Sequence, residues 1–172
     1  MFSLKHIRKF IMILNSNASP AQISWGIALG AIVGIMPFKT LLSFVLLLFI
    51  LLVNVNWSAA MLAIAVFSII SVPLDILSHA IGYTLLTKVD PLLPVWTRLY
   101  NMPVVPFTRF NNSVVLGSLV LGIILIAPNY LIFKRLIFIY RERLQGKIQQ
   151  SRLFKALGLT KFYEWYSKFD MD

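Results

Sequence analysis

The stretch "GIALGAIVGIMPFKTLLSFVLLLFILLV" covers Gly26–Val53 and contains one charged residue, Lys39, two positions after Pro37. Uncharged runs also cover Trp57–Leu74 and Ser113–Phe133. A helix needs roughly 20 apolar residues to cross the hydrocarbon core of a bilayer. These runs predict an all-α, polytopic membrane protein built from spans of this kind.

The composition supports the same class of protein. The chain has 172 residues, of which 59% are hydrophobic and 13% charged, whereas an average soluble domain is about 25% charged. The mean hydropathy is +0.82. At this length we expect a single membrane domain in which the helices pack on each other.

Several kinds of chemistry find no support in the sequence. The chain has no cysteine, which excludes disulfides, thiol nucleophiles and thiolate metal sites. His6 and His79 lie far apart in the sequence and make a weak case for a metal. We see no phosphate-binding or hydrolase motif. We therefore expect no enzyme activity, no metal and no cofactor.

Three glycines are spaced by four residues inside the first apolar run, at Gly26, Gly30 and Gly34. In a helix this spacing places all three on one face. Small residues at such positions let two helices approach closely within a bilayer. We interpret them as helix-packing residues.

The charge distribution indicates a membrane surface and not a nucleic acid. The formal net charge is +10, but the basic residues collect near the ends of the chain. Nine follow Phe133, against four acids, and three precede the first apolar run. The positive-inside rule then places both termini in the cytoplasm. The number of crossings should be even.

The first apolar run is predicted to form a hairpin of two short helices. Ser19 is a plausible N-cap, with Pro20 at the first helical position. Pro37 interrupts the run and separates a helix over 21–36 from one over 38–53. The hairpin enters from the cytoplasm and returns to it. Whether it spans the bilayer or is re-entrant stays open.

Two longer helices should follow. Trp57–Leu86 has 30 residues, about 45 Å as a helix. Because this exceeds the core thickness, we expect a helix broken at Pro73, with a kinked or interfacial later half. Ser113–Phe133 predicts the final crossing, with a kink at Pro128.

The single domain 1–172 divides into five segments. We predict an amphipathic cytoplasmic helix over 1–18, a core with broken helices over 19–87, an external proline-rich loop over 88–111, a final span with its cytoplasmic extension over 112–145, and a basic, aromatic cytoplasmic tail over 146–172. The first and last segments are expected to lie at the membrane interface.

Each of the first two interrupting prolines is followed, two positions later, by an ionisable residue: Lys39 after Pro37, and Asp75 after Pro73. A charge at membrane depth costs roughly 2.5–3.5 kcal/mol on insertion scales. Three interpretations stay open: a structural ion pair, a site at which Lys39 meets an anionic headgroup, and a lysine that extends to the outer interface. In the second, Asp75 and His79 would tune the lysine or move a proton, and two hydroxyls, Thr40 and Ser78, lie nearby in the sequence.

The segment Ser19–Leu86 resembles the bacterial membrane family called domain of unknown function 2062. The resemblance rests on a Ser-Pro start, a glycine-rich helix ending at a proline, a leucine-rich helix, an Asn before the next helix and a proline within it. Here these are Ser19-Pro20, Ala28-Leu29-Gly30, Gly34, Pro37, Asn56 and Pro73. Some members are fused to glycosyltransferases that act on lipid-linked sugars. The resemblance implies an inner-membrane location and a role with lipid carriers or as a membrane subunit.

Two functions remain in competition. The first is a small inner-membrane protein that handles or transports an anionic lipid or lipid-linked phosphate. The alternative is a non-catalytic anchor or assembly subunit of a larger envelope or glycosyltransferase complex. The expected partners are membrane lipids and another membrane or envelope protein, or a second copy of the chain. Nucleic acid is not among them.

Overall fold

The computed structural model describes residue 13 and residues 18–144, and this part of the chain is helical without a β-strand. The predicted all-α fold is confirmed there. The predicted N-terminal amphipathic helix, except Ile13 and Ala18, and the predicted tail lie outside the described residues. The α-helices are α1 (Pro20–Ile35), α2 (Leu41–Leu52), α3 (Trp57–Thr87), α4 (Leu93–Tyr100) and α5 (Ser113–Ile139), with 3-10 turns at Asp90–Leu92 and Val105–Thr108 and a π-helical turn at Tyr140–Leu144.

The first helix begins as its sequence predicts. The Ser19 hydroxyl accepts a hydrogen bond from the Gln22 N–H, and the Gln22 side chain accepts one from the Ser19 N–H. Pro20 occupies the first turn, where its missing N–H costs nothing. The helix ends before Pro37, because a residue that precedes a proline is pushed to extended backbone. Met36 has this conformation.

The hairpin returns to the end from which it started. The Asn56 N–H donates to the Gln22 carbonyl at 3.1 Å. The Gln22 amide also donates to the Asn54 side chain at 3.2 Å. These bonds hold the beginnings of α1 and α3 side by side, with α2 running back between them in sequence. The two short helices that the sequence predicts are both present.

The structure differs from the expected break at Pro73. Pro73 lies inside the continuous helix α3, and Pro128 lies inside the continuous helix α5. A proline within a helix removes one N–H donor, and apolar helices tolerate this loss when neighbouring helices support them. Pro37 and Pro73 are therefore not equivalent, and the second does not divide its helix.

The glycine spacing places α1 directly against α3. A Cβ atom added to Gly26 would lie 2.5 Å from the Asn56 carbonyl oxygen. One added to Gly34 would lie 2.8 Å from the Ile64 carbonyl oxygen, and Gly30 faces Ala60 in the same way. Partner residue numbers rise together along both helices, so α1 and α3 run parallel at backbone contact.

The last long helix runs antiparallel to both and completes a three-helix frame. Near its beginning, Gly117 packs on the backbone of Ser78. Near its end, Ile137 belongs to a buried cluster that contains Ile23 and Ala59. We call the end of the frame where α5 begins the hairpin end, because α1 turns into α2 there. The opposite end is the terminal end.

Apolar side chains cover the outside of this frame. Two helical stretches are long and apolar enough to cross a membrane: α3, and α5 continued into the π-helical turn as Ser113–Arg143. In the most apolar 18 residues of each, only 17% and 33% of the residues are buried. Core helices of soluble proteins are mostly buried. Helix α2 exposes Phe44 at 55% and Leu52 at 86%. A surface of this kind matches a hydrocarbon solvent better than water.

Candidate functional site

The turn between α1 and α2 places Lys39 at the hairpin end. Met36, just before the turn, shares a buried cluster with Val115, which is close to the first residue of α5. Helix α2 also contacts the 3-10 turn Val105–Thr108. The hairpin therefore reaches the level at which α5 begins.

Thr40 serves the turn as a helix cap. Its hydroxyl accepts a hydrogen bond from the Ser43 N–H at 3.2 Å and lies 3.0 Å from the Ser43 hydroxyl. Thr40 is buried. These bonds cap the first turn of α2, so the Thr40 hydroxyl is used in the structure of the turn, as expected for an N-cap.

Lys39 itself is exposed and has no acidic partner in the described part of the chain. Its neighbour Phe38 is also exposed, at 56%. Asp75 is half-buried on α3 and likewise forms no ion pair with a described residue. The interpretation of the two charges as a structural ion pair therefore has no contact that supports it.

His79 is joined to a residue that the sequence reasoning missed. Its Nδ1 lies 2.6 Å from the Ser113 hydroxyl, which links α3 to the beginning of α5. The His79 ring also lies 5.9 Å from the Tyr83 ring. Either ring nitrogen of a neutral histidine can carry the proton, so the serine is donor or acceptor according to the tautomer. Asp75 is one helical turn before His79 on the same face.

Ser78 takes part in helix packing more than in any open site. It is fully buried, and its hydroxyl has no hydrogen-bond partner among the described residues. A Cβ atom added to Gly117 would clash with the Ser78 carbonyl oxygen, and one added to Gly82 would clash with the Ser113 carbonyl oxygen. Ser78 and Gly82 are four residues apart, as are Ser113 and Gly117. The same spacing that identified the first three glycines was a signal for this crossing too.

The hairpin end thus carries an exposed ammonium, a histidine–serine pair and a half-buried carboxylate. In residues 18–144, no three histidine, cysteine or acidic side chains gather into a possible metal site. Lys39 forms no hydrogen bond with the His79–Ser113 pair. Chemically, the arrangement can attract an anion at Lys39.

These features define a class: an all-α protein whose helical hairpin packs against two helices long enough to span a bilayer. The family model described as "Uncharacterized protein conserved in bacteria (DUF2062)" matches residues 5–145. The chain belongs to this family, and the match extends well beyond the segment that carried the resemblance.

A curated relative, an "Uncharacterized protein" of Treponema pallidum (strain Nichols), is 26% identical over 141 residues. The aligned part covers 82% of this chain and 86% of that protein. No solved structure matches the chain.

Proposed function

We propose that the protein is a multi-pass protein of the bacterial inner membrane that handles an anionic lipid or lipid-linked phosphate at the Lys39 turn. The observation that carries this proposal is the exposed Lys39 ammonium, which stands at the end of an apolar bundle without an acidic partner in residues 18–144. The placement of both termini in the cytoplasm belongs to the same proposal.

The apolar exterior of the frame supports the membrane location. Helices α3 and α5 expose most of their most apolar windows. The described chain both begins and ends at the terminal end, where the Arg141 guanidinium donates to the Ala18 carbonyl at 2.8 Å. Nine basic residues follow Phe133. The positive-inside rule assigns that end to the cytoplasm.

A lipid phosphate is the natural counterion for Lys39 in this setting. Moving a lysine away from water is costly, and no residue among 18–144 supplies a carboxylate partner that would offset that cost. At the level where the hairpin turns, the ammonium can reach the headgroup layer. Phe38 beside it in the turn is also exposed. An anionic headgroup would supply the counter-charge for Lys39.

The test compares two single changes that remove one positive charge each. Lys39→Gln alters the turn, and Arg98→Gln alters an exposed cation on α4. Full-length protein is extracted from membranes in a mild detergent, and bound lipid is identified by native mass spectrometry. We expect Lys39→Gln to lose at least half of the anionic-lipid adducts and Arg98→Gln to keep them. Equal adduct profiles in both variants and the native protein would refute a lipid role for Lys39.

A second candidate is a non-catalytic anchor or assembly subunit, and the exposed face of α2 favours it. Phe44 and Phe49 are 55% and 49% exposed on a helix that has little cover. A partner helix could occupy this face. Under this candidate, Phe44→Ala reduces the size of the complex on a blue-native gel, whereas Leu93→Ala on α4 does not. The lipid profile of Lys39→Gln would then match that of the native protein.

A further inference from the structure

Helices α1 and α5 meet along a seam that runs the length of the frame. Toward the terminal end the Trp25 and Tyr130 rings lie 4.6 Å apart. In the middle, Gly122 faces Ile32, whose Cγ2 would lie 2.9 Å from an added Cβ atom. At the hairpin end Met36 and Val115 are buried together. We call this line of contacts the α1–α5 seam.

Helix α2 covers only the part of this seam nearest the hairpin end. Leu42 and Leu46, in its first half, pack on the buried cluster of Ile32 and Val115. Its second half turns toward α3, where Ile50 lies in a different cluster with Val55 and Ala60. The helix therefore crosses α1 obliquely. These contacts place the end of α2 away from α5. We call the uncovered part of the seam beside it, where Trp25 is 40% exposed, the wedge.

The Lys134 side chain lies next to the aromatic pair that borders the wedge. The Lys134 ammonium lies 5.3 Å from the centre of the Tyr130 ring, which itself contacts Trp25 of the other helix. A lysine over an aromatic face is attracted by the ring quadrupole. The next residue, Arg135, is also exposed but makes no ring contact within residues 18–144. Lys134 is thus positioned, and Arg135 is not.

We propose that the wedge binds one anionic phospholipid, with its phosphate on the Lys134 ammonium and an acyl chain along the open seam. Trp25 and Tyr130 would lie at the level of the glycerol backbone, where membrane proteins concentrate these residues. Basic pockets between membrane helices on the cytoplasmic side are suited to anionic headgroups. A zwitterionic lipid carries its own cation, which competes with the lysine for the phosphate.

This inference uses the membrane placement of the proposed function but not its site. Lys134 lies at the terminal end, and Lys39 lies at the hairpin end. The two sites can therefore fail separately. A variant at Lys39 should leave binding at the wedge unchanged.

The experiment measures quenching of Trp25 fluorescence by brominated lipid. Full-length protein is reconstituted in phosphatidylcholine vesicles that contain a small, equal fraction of brominated phosphatidylglycerol or brominated phosphatidylcholine. Each protein is paired with its Trp25→Phe counterpart, so that the difference in emission reports on Trp25. We expect brominated phosphatidylglycerol to quench Trp25 at least three times more efficiently than brominated phosphatidylcholine does.

Single changes then locate the source of the preference. Lys134→Gln should remove the preference for phosphatidylglycerol, and Lys134→Arg should retain it. Arg135→Gln removes the same charge one residue away and should retain it, as should Lys39→Gln. Because Lys134 is exposed, its substitution should not affect folding, and an unchanged circular dichroism spectrum checks this.

Three outcomes would overturn the proposal. Equal quenching by the two lipids in the native protein would show that the wedge does not select an anionic headgroup. Equal losses in Lys134→Gln and Arg135→Gln would show a general surface charge effect. A Trp25 that neither lipid quenches would show that the wedge is covered by protein.

Discussion

At the scale of single residues, the closest contact in the frame involves two glycines. Gly82 and Gly117 let α3 and α5 approach very closely. A side chain on either glycine would clash with the backbone of the opposite helix. Backbone atoms cannot move aside as a flexible side chain can. Within a bilayer, such approaches supply much of the packing energy that holds helices together.

Gly117→Ala should therefore destabilise the protein, by about 1–3 kcal/mol if the cost resembles that of overpacking in other cores. The added methyl group would be forced against the Ser78 carbonyl. Gly122→Ala is the milder comparison, because the nearest neighbour of its added atom is the Ile32 Cγ2 methyl group at 2.9 Å and the nearest backbone atom is 3.3 Å away. Thermal unfolding in detergent measures both. Equal midpoints for the two variants would contradict the close crossing.

The charges at Lys39 and Asp75 give a second prediction at this scale. A structural ion pair would make the double change to alanine milder than the sum of the single changes. Because the structure gives neither residue an ion pair in residues 18–144, we expect the stability effects of Lys39→Ala and Asp75→Ala to add within about 0.5 kcal/mol. A double-mutant cycle by thermal unfolding measures the coupling. A larger coupling would restore the ion-pair interpretation.

At the scale of elements, the sequence located both ends of α1, α2 and α3 to within three residues. Ser19 and the uncharged runs located α1, α2, α3 and α5 closely, because caps and apolar length are local properties. Whether the helix continues through Pro73 could not be read from the residues around it. The residues after it continue as a helix because Ser78 and Gly82 pack on α5, whereas Pro37 is followed by a charge and a new cap.

The same distinction explains the candidate site. Lys39, Asp75 and His79 were visible as unusual residues within apolar sequence. Ser113 could not be recognised as the partner of His79, because 34 residues separate them and only the crossing of α3 and α5 brings them together. Thr40 was visible as a hydroxyl near Lys39, but its role became clear only from its bond to Ser43.

The cap on α2 can be tested directly. Thr40→Ala removes the acceptor for the Ser43 N–H and should cost about 1 kcal/mol. Thr97→Ala is the control, because the Thr97 hydroxyl donates to the Leu93 carbonyl within α4 and caps nothing. Thermal unfolding should show a lower midpoint for Thr40→Ala alone. If Thr97→Ala lowered the midpoint equally, the cap would not be what stabilises the turn.

At the scale of the whole molecule, the direction of each helix determines which ends share a side of the membrane. The bonds of Asn56 to Gln22 place the beginnings of α1 and α3 together, and the bond of Arg141 to Ala18 adds the end of α5. The hairpin turn and α4 lie toward the opposite end. If α3 and α5 each cross the bilayer, the terminal end faces one side and the residues near Asn101 face the other.

Because the chain has no cysteine, single cysteines can report on this topology without background. Phe38→Cys lies at the hairpin turn, Asn101→Cys ends α4, and Glu142→Cys follows α5; all three positions are exposed. With a membrane-impermeant maleimide on cells whose outer membrane has been permeabilised, we expect the first two to be labelled and Glu142→Cys only after the inner membrane is opened. The native chain, which cannot react, is the control.

Labelling of Phe38→Cys would show that the hairpin spans the bilayer, because its turn lies at the level where α5 begins, next to Val115. Labelling of Glu142→Cys in intact spheroplasts would invert the proposed orientation, and protection of Asn101→Cys would mean that α3 or α5 does not cross.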